Sequence, residues 1–141
     1  IISTLREINF TMLQALKKEY NVLYKRLCHI VDENERVKNM RDQLEKGGAD
    51  NVGTILKEAH ESLKSLYEVS CKEIDYIINV SEFFDGWYGG RIMGGGFGGC
   101  SIHLVEDHLA QDYQNYISAS YVKKYDILPE ILNVTFQGGL Q

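Results

Sequence analysis

Three things are scarce in this sequence: basic charge, long apolar runs and cysteine. Fifteen lysines and arginines against twenty aspartates and glutamates leave a net charge of −5. That balance removes the electrostatic case for a nucleic-acid partner or an anionic membrane surface. A bilayer-crossing helix needs roughly 20 consecutive apolar residues, and the sequence holds no such run. No signal-peptide pattern opens it. Cys28, Cys71 and Cys100 are odd in number and far apart, which fits neither a disulfide framework nor a zinc site. All three are therefore expected to be reduced and buried, in a cytoplasmic protein. Internal repeats and disordered linkers are also absent. The chain begins on Ile1 rather than methionine, and is therefore expected to be a piece of something longer.

What is present suits one domain spanning residues 1–141. A chain of this length can bury a real core, and 44% hydrophobic with 25% charged residues is ordinary for a globular protein. Thr4 with Glu7 predicts a first short helix, and Asn9 caps a second carrying Phe10, Leu13, Leu16 and Tyr20. A long helix follows from about Val22 to Lys46, with Leu23, Leu27, Ile30, Val31, Val37, Met40 and Leu44 near one side. Gly47 and Gly48 end it. Asp50 or Asn51 starts the next, with Ile55, Leu56, Ala59, Leu63 and Leu66 as its stripe. Ser70 and Glu73 match a capping box that opens a helix to about Phe83. A strand near Ser101–Val105, a helix near Asp107–Tyr125 and a last strand near Glu130–Phe136 complete an α+β sandwich.

Gly89 to Cys100 is the segment that demands an explanation. Seven of its twelve residues are glycine, each of which costs backbone entropy on folding. Either the chain must bend through positive φ, or something approaches the backbone where no Cβ fits. A phosphate held by main-chain N–H groups asks for both, and a tight hairpin beside packed aromatics asks for the first alone. Gly94-x-Gly96-x-x-Gly99 matches the dinucleotide fingerprint as a string. That fingerprint needs a strand before it and a helix after it, whereas here a strand follows. A Walker A loop would end in Gly-Lys-Ser/Thr, and Gly98-Gly99-Cys100 supplies no lysine. A protein-kinase loop needs a lysine on the next strand, and none occurs between Arg91 and Lys123. The residues alone lead to a strand–glycine loop–strand hairpin able to lie against a phosphate.

Three collinear stretches then carry a family resemblance. Gly89 to Cys100, continuing into Ser101-Ile102, closely resembles the third motif of galactokinases, within the GHMP superfamily of sugar and small-metabolite kinases. The run from Arg26 to Arg36 is similar to that family's Arg-x-x-His-Val-x-x-Glu-x-x-Arg helix. His60 to Asp75 resembles its His-x-Ser-Leu-x-x-x-Tyr-Glu-Val-Ser-Cys-x-Glu-Leu-Asp stretch. The resemblance covers about Leu5 to Gly139. It departs from the pattern at Ala59, Lys64, Gly90, Ile92 and Met93. Met93 stands where a threonine hydroxyl is usual, which removes a hydrogen-bond donor beside the loop.

The resemblance implies the C-terminal half of a galactokinase: a ferredoxin-like α+β domain with added helices, whose glycine loop closes over the nucleotide phosphates. The sugar-binding segment, serine-rich phosphate loop and catalytic aspartate belong to an N-terminal half that this sequence lacks. The implied partners are that N-terminal half, galactose and ATP; ATP and Mg2+ would be held mainly by the missing half. The implied reaction moves the ATP γ-phosphoryl group to the C1 hydroxyl of galactose. Galactokinase-like galactose and ATP sensors and N-acetylgalactosamine kinases share these motifs. No catalytic residue and no metal ligand is assigned here. The cofactor-facing residues are Gly94, Gly95, Gly96, Phe97, Gly98 and Gly99, with Phe97 read as the ring that anchors the hairpin to the core. Arg91 can pair with phosphate or form a structural salt bridge. His29, Asp32, Glu33 and Arg36 share a helix face and read as a packing network. His60 with Tyr67 and Glu68 reads the same way, and His103 and His108 have no ligand spacing.

Overall fold

The computed structural model describes residues 3–16 and 21–134. Asn9 accepts from the Met12 N–H at 3.1 Å and opens α1 (Phe10–Leu16). At the preceding 3-10 turn, Leu5–Glu7, Thr4 is the N-cap as expected, without a side-chain bond to the turn's N–H groups; Ser3 and Thr4 both meet the Glu7 carboxylate instead. Leu13 of α1 is fully buried against Leu27, Cys28 and Val31 of α2 (Asn21–Lys46). Gly47, at φ 73°, ends α2.

The next helix, α3 (Ala49–Ser62), begins without a side-chain cap and runs into a π-helical turn, Leu63–Tyr67. Glu68 then takes the left-handed conformation. Arg26 stabilises this turn, donating to the Leu66 carbonyl and to Glu68. The capping box at Ser70 does not form. Helix α4 (Lys72–Ser81) starts at Cys71, and the Ser70 hydroxyl donates instead to Asp75 at 2.7 Å, because that carboxylate lies one turn inside the helix, within reach of the hydroxyl.

Strands β1 (Trp87–Met93) and β2 (Cys100–Val105) form an antiparallel hairpin with Met93 opposite Cys100, and an irregularity between Trp87 and Gly89. Among the described residues this is a two-stranded sheet. Helix α3 lies along β1. A Cβ on Gly53 would meet the Tyr88 carbonyl, and one on Gly89 would meet the Gly53 carbonyl. Backbone touches backbone there, which only glycine permits. Ile92 of β1 joins Leu63, Ile74 and Ile78 in a second core cluster. A 3-10 turn (Asp107–Leu109) leads into α5 (Ala110–Tyr125), which rests on α4: Tyr76 and Tyr116 donate to the Ser120 and Val80 carbonyls, both at 3.1 Å. The strand expected near Glu130–Phe136 is absent over 130–134, where Leu132 and Val134 are exposed and no neighbouring strand offers a ladder; positions 135 and 136 lie outside the described residues. The α+β class holds: helices packed on a small antiparallel sheet.

Candidate functional site

The six-residue loop between the strands is pinned at one point and bare elsewhere. The Phe97 N–H donates to the Val69 carbonyl at 2.6 Å. Gly96 lies so close below that a Cβ there would stand 2.6 Å from Val69 Cβ and 2.7 Å from its carbonyl oxygen. Its φ of 86° disfavours other residues in any case. Around Gly94, Gly95, Gly98 and Gly99 the space that a Cβ would enter holds no atom within 4 Å. A backbone stripped of side chains and open on one side can approach an anion closely.

Phe97 does not anchor the hairpin through its ring, as the sequence predicted. The side chain is 77% exposed and the residue has a φ of 62°. The main-chain N–H does the anchoring, and the left-handed backbone turns the ring away from Val69. Val69 itself carries no sequence signal as a docking point. The π-helical turn and the left-handed Glu68 present its carbonyl to the loop, and a π-turn is often associated with functional sites.

Arg91 belongs to a network within the chain. Its Nη1 lies 2.5 Å from Glu33 Oε1, and the other Glu33 oxygen accepts from Arg36 Nε at 2.8 Å. Burial by itself would push the Glu33 carboxyl up, but the hydrogen bonds from the two guanidinium groups outweigh it and hold it below the usual carboxylate range. His29 shares a 2.9 Å hydrogen bond with Ser62 and stacks on Tyr67 at 4.6 Å. This face of α2 is thus a packing network, as expected; Tyr67 and Glu68 join His29 and Arg26 rather than His60. The partners of His60 are the Ile92 N–H, 3.3 Å from Nδ1, and Asp75 Oδ1, 3.2 Å from Nε2.

His103 stands on β2, opposite Gly90. Trp87 Nε1 donates to its Nδ1 at 3.1 Å, and the Tyr113 hydroxyl lies 2.8 Å from the same nitrogen. An indole N–H only donates, so Nδ1 is unprotonated and Nε2 carries the hydrogen toward Ser101 Oγ, 2.8 Å away. Burial pulls this imidazole down to about 4, helped by nearby His60, and burial pushes the Tyr113 hydroxyl up. A ring so hard to protonate is a poor general acid or base at neutral pH. The cysteines depart from expectation: all three are free, yet only Cys28 is buried, while Cys71 is half-buried and Cys100, at the loop's exit, is exposed.

Residues 40–123 match the family description "GHMP kinases C terminal". The chain belongs to the GHMP kinases. This GHMP kinase C-terminal domain is 38% identical over 81% of its length to a galactokinase of Thermotoga neapolitana, covering 33% of that protein. It is 41% identical, again over 81%, to a galactokinase of Clostridium tetani, covering 29% of it. A solved Lactococcus lactis galactokinase complexed with galactose superposes with a TM-score of 0.82 at 29% identity, over 91% of this chain and 34% of that one. The domain thus spans about a third of the length of the curated relatives it matches. The matched region contains the whole hairpin and its Val69 dock.

Proposed function

We propose that residues 1–141 act as the C-terminal domain of an ATP-dependent galactokinase, in which loop 94–99 closes over the nucleotide phosphates held by an N-terminal half. One observation carries this reading: a glycine loop fixed at Val69 by a single hydrogen bond, with the flanking glycines empty on the outer side. Similarity to galactokinases over most of the chain supports galactose as the acceptor and ATP as the donor. Phosphoryl transfer relies on positioning and on donors around the phosphates, and exposed main-chain N–H groups are such donors. Burial of Gly94, Gly95, Gly98 and Gly99 against the other half would also exclude water. Mg2+ is a different matter. Among the described residues no group of three His, Cys, Asp or Glu side chains could hold a metal ion, and the ion is assigned mainly to the N-terminal half, with the phosphates it bridges.

Gly95→Ala is the decisive variant. Gly95 lacks a positive φ, and nothing lies within 4 Å of the added methyl. Thermal unfolding of the 141-residue chain should therefore be unchanged. In a protein carrying the N-terminal half as well, galactose-dependent ADP release should fall at least about tenfold, because the methyl would hold the loop off its ligand. Unchanged kcat/KM would mean that the loop faces solvent rather than a nucleotide.

A further inference from the structure

We propose that His60, acting through Asp75 and Ser70, is the positioning residue of the glycine loop, tying its base and its tip to one half-buried carboxylate. The proposal rests on the reading of this loop as the nucleotide-facing element, but its geometry stands within this chain alone. His60 is 4% exposed, on the last turn of α3. Its Nδ1 accepts the N–H of Ile92 at 3.3 Å, two residues before the loop begins. That N–H points away from β2, so the imidazole satisfies a strand-edge donor that would otherwise be buried without a partner.

On the other side of the ring, Nε2 lies 3.2 Å from Asp75 Oδ1. The approach is bent, so the Nε2–H of the neutral ring faces the carboxylate without an aligned hydrogen bond. The same Asp75 oxygen accepts the Ser70 hydroxyl at 2.7 Å. Ser70 follows Val69, whose carbonyl holds the Phe97 N–H at 2.6 Å. One path therefore runs from the base of the loop through His60, Asp75 and Ser70 to its tip. The loop keeps its angle only while both ends of that path are fixed.

The path works for one protonation state. With the hydrogen on Nε2, the ring accepts from Ile92 and donates toward Asp75. A second proton on Nδ1 would set two donors face to face and orphan the Ile92 N–H. The groups facing the ring are Asp75 and Glu61, which favour the charged form, and Lys64, which opposes it together with burial; His103 lies nearby. Burial is the largest influence, and the imidazole is held below the usual histidine range. The loop is consequently set at neutral pH and released on acidification.

The test begins with the 141-residue chain. Nitrogen-15 spectra should show His60 as the Nε2–H tautomer, and the Ile92 and Phe97 amides should exchange slowly with solvent. His60→Phe should speed exchange at both amides at least about tenfold, the loss of one net hydrogen bond, while Ile117 in α5 stays protected. His60→Gln, which keeps an acceptor and a donor, should restore most of the protection. Should His60→Phe fail to fold, Ser70→Ala cuts the path at one link and should speed Phe97 while sparing Ile92. With the N-terminal half attached, His60→Phe should lower kcat about tenfold with KM for galactose unchanged, and His60→Gln should flatten the acidic limb of the kcat/KM profile. The Nδ1–H tautomer, or exchange at Ile92 and Phe97 indifferent to His60→Phe and to Ser70→Ala, overturns the proposal. If exchange behaves as stated but the longer protein shows no kinase activity, the functional reading fails and the loop-positioning role stands.

Discussion

Gly53 and Gly96 are small for different reasons, and each reason makes a measurable difference. Gly53 is the close-approach case. Alanine there would gain about 1 kcal/mol of helix propensity, but its methyl would enter the Tyr88 backbone, which cannot swing aside as a side chain can. Overpacking of this kind typically costs about 1–3 kcal/mol, so Gly53→Ala should be a net loss of up to about 2 kcal/mol in urea unfolding. A stabilised variant would mean that α3 and β1 stand further apart. Gly96 combines a positive φ with contact against Val69. Gly96→Val should break the Phe97–Val69 hydrogen bond and, with the N-terminal half present, reduce kcat/KM at least about tenfold. The sequence exposed the loop glycines by their density. Gly53, a lone glycine inside a helical pattern, carries only the weaker signal of a helix position that costs stability relative to alanine. Its partner across the gap could be named only from the tertiary structure.

Helices α4 and α5 and the hairpin are joined by buried polar groups rather than by apolar contact alone. Ser81, the Tyr113 hydroxyl and His103 form a chain from α4 through α5 to β2, with Ser81 Oγ 2.6 Å from the tyrosine oxygen. His103 titrates at about 4 in the fold against roughly 6.5 when unfolded. Between those values the unfolded chain binds the extra proton, so stability rises with pH. The full contribution is present above about pH 6.5, is lost as pH falls toward 4, and changes no further below it. The shift corresponds to roughly 3 kcal/mol. His29 and His60 are lowered as well and add in the same direction. Denaturant titrations at pH 7 and pH 4.5 should show this loss, and His103→Gln should reduce it. An unchanged pH slope in the variant would assign the acid sensitivity elsewhere. Hydrophobic spacing predicted the helices at this scale to within a few residues, because each buries one face. The Ser70 capping box failed since a side-chain oxygen has several possible partners and the sequence does not say which lies nearer. The final predicted strand failed over 130–134 because a strand exists only beside another.

At the scale of the whole molecule, large apolar side chains lie open on several surfaces. Val22, Val37, Leu44, Phe83, Leu128, Leu132 and Val134 are each more than 60% exposed. The matched relatives are roughly two and a half times as long, and in them further chain is available to cover such surface. The 141-residue chain alone should therefore show no galactose-dependent ATP turnover, since the groups that hold sugar and most of the nucleotide are proposed to lie in the other half. A coupled ADP-release assay on the purified chain checks this. Turnover that survives further purification would overturn the division of labour. Sedimentation of the same sample should show self-association through the uncovered apolar surface.

Periodicity and glycine spacing by themselves determined the helical order and the hairpin around the glycines, since these depend on local pattern; the family came from the resemblance of three collinear stretches to a known set of motifs. Tertiary structure decided which carbonyl receives Phe97, that its ring faces outward, that Arg91 pairs with Glu33, and that His60 links two helices to a strand. Such pairings join residues far apart along the chain. Their partners are selected by packing, which no local pattern encodes.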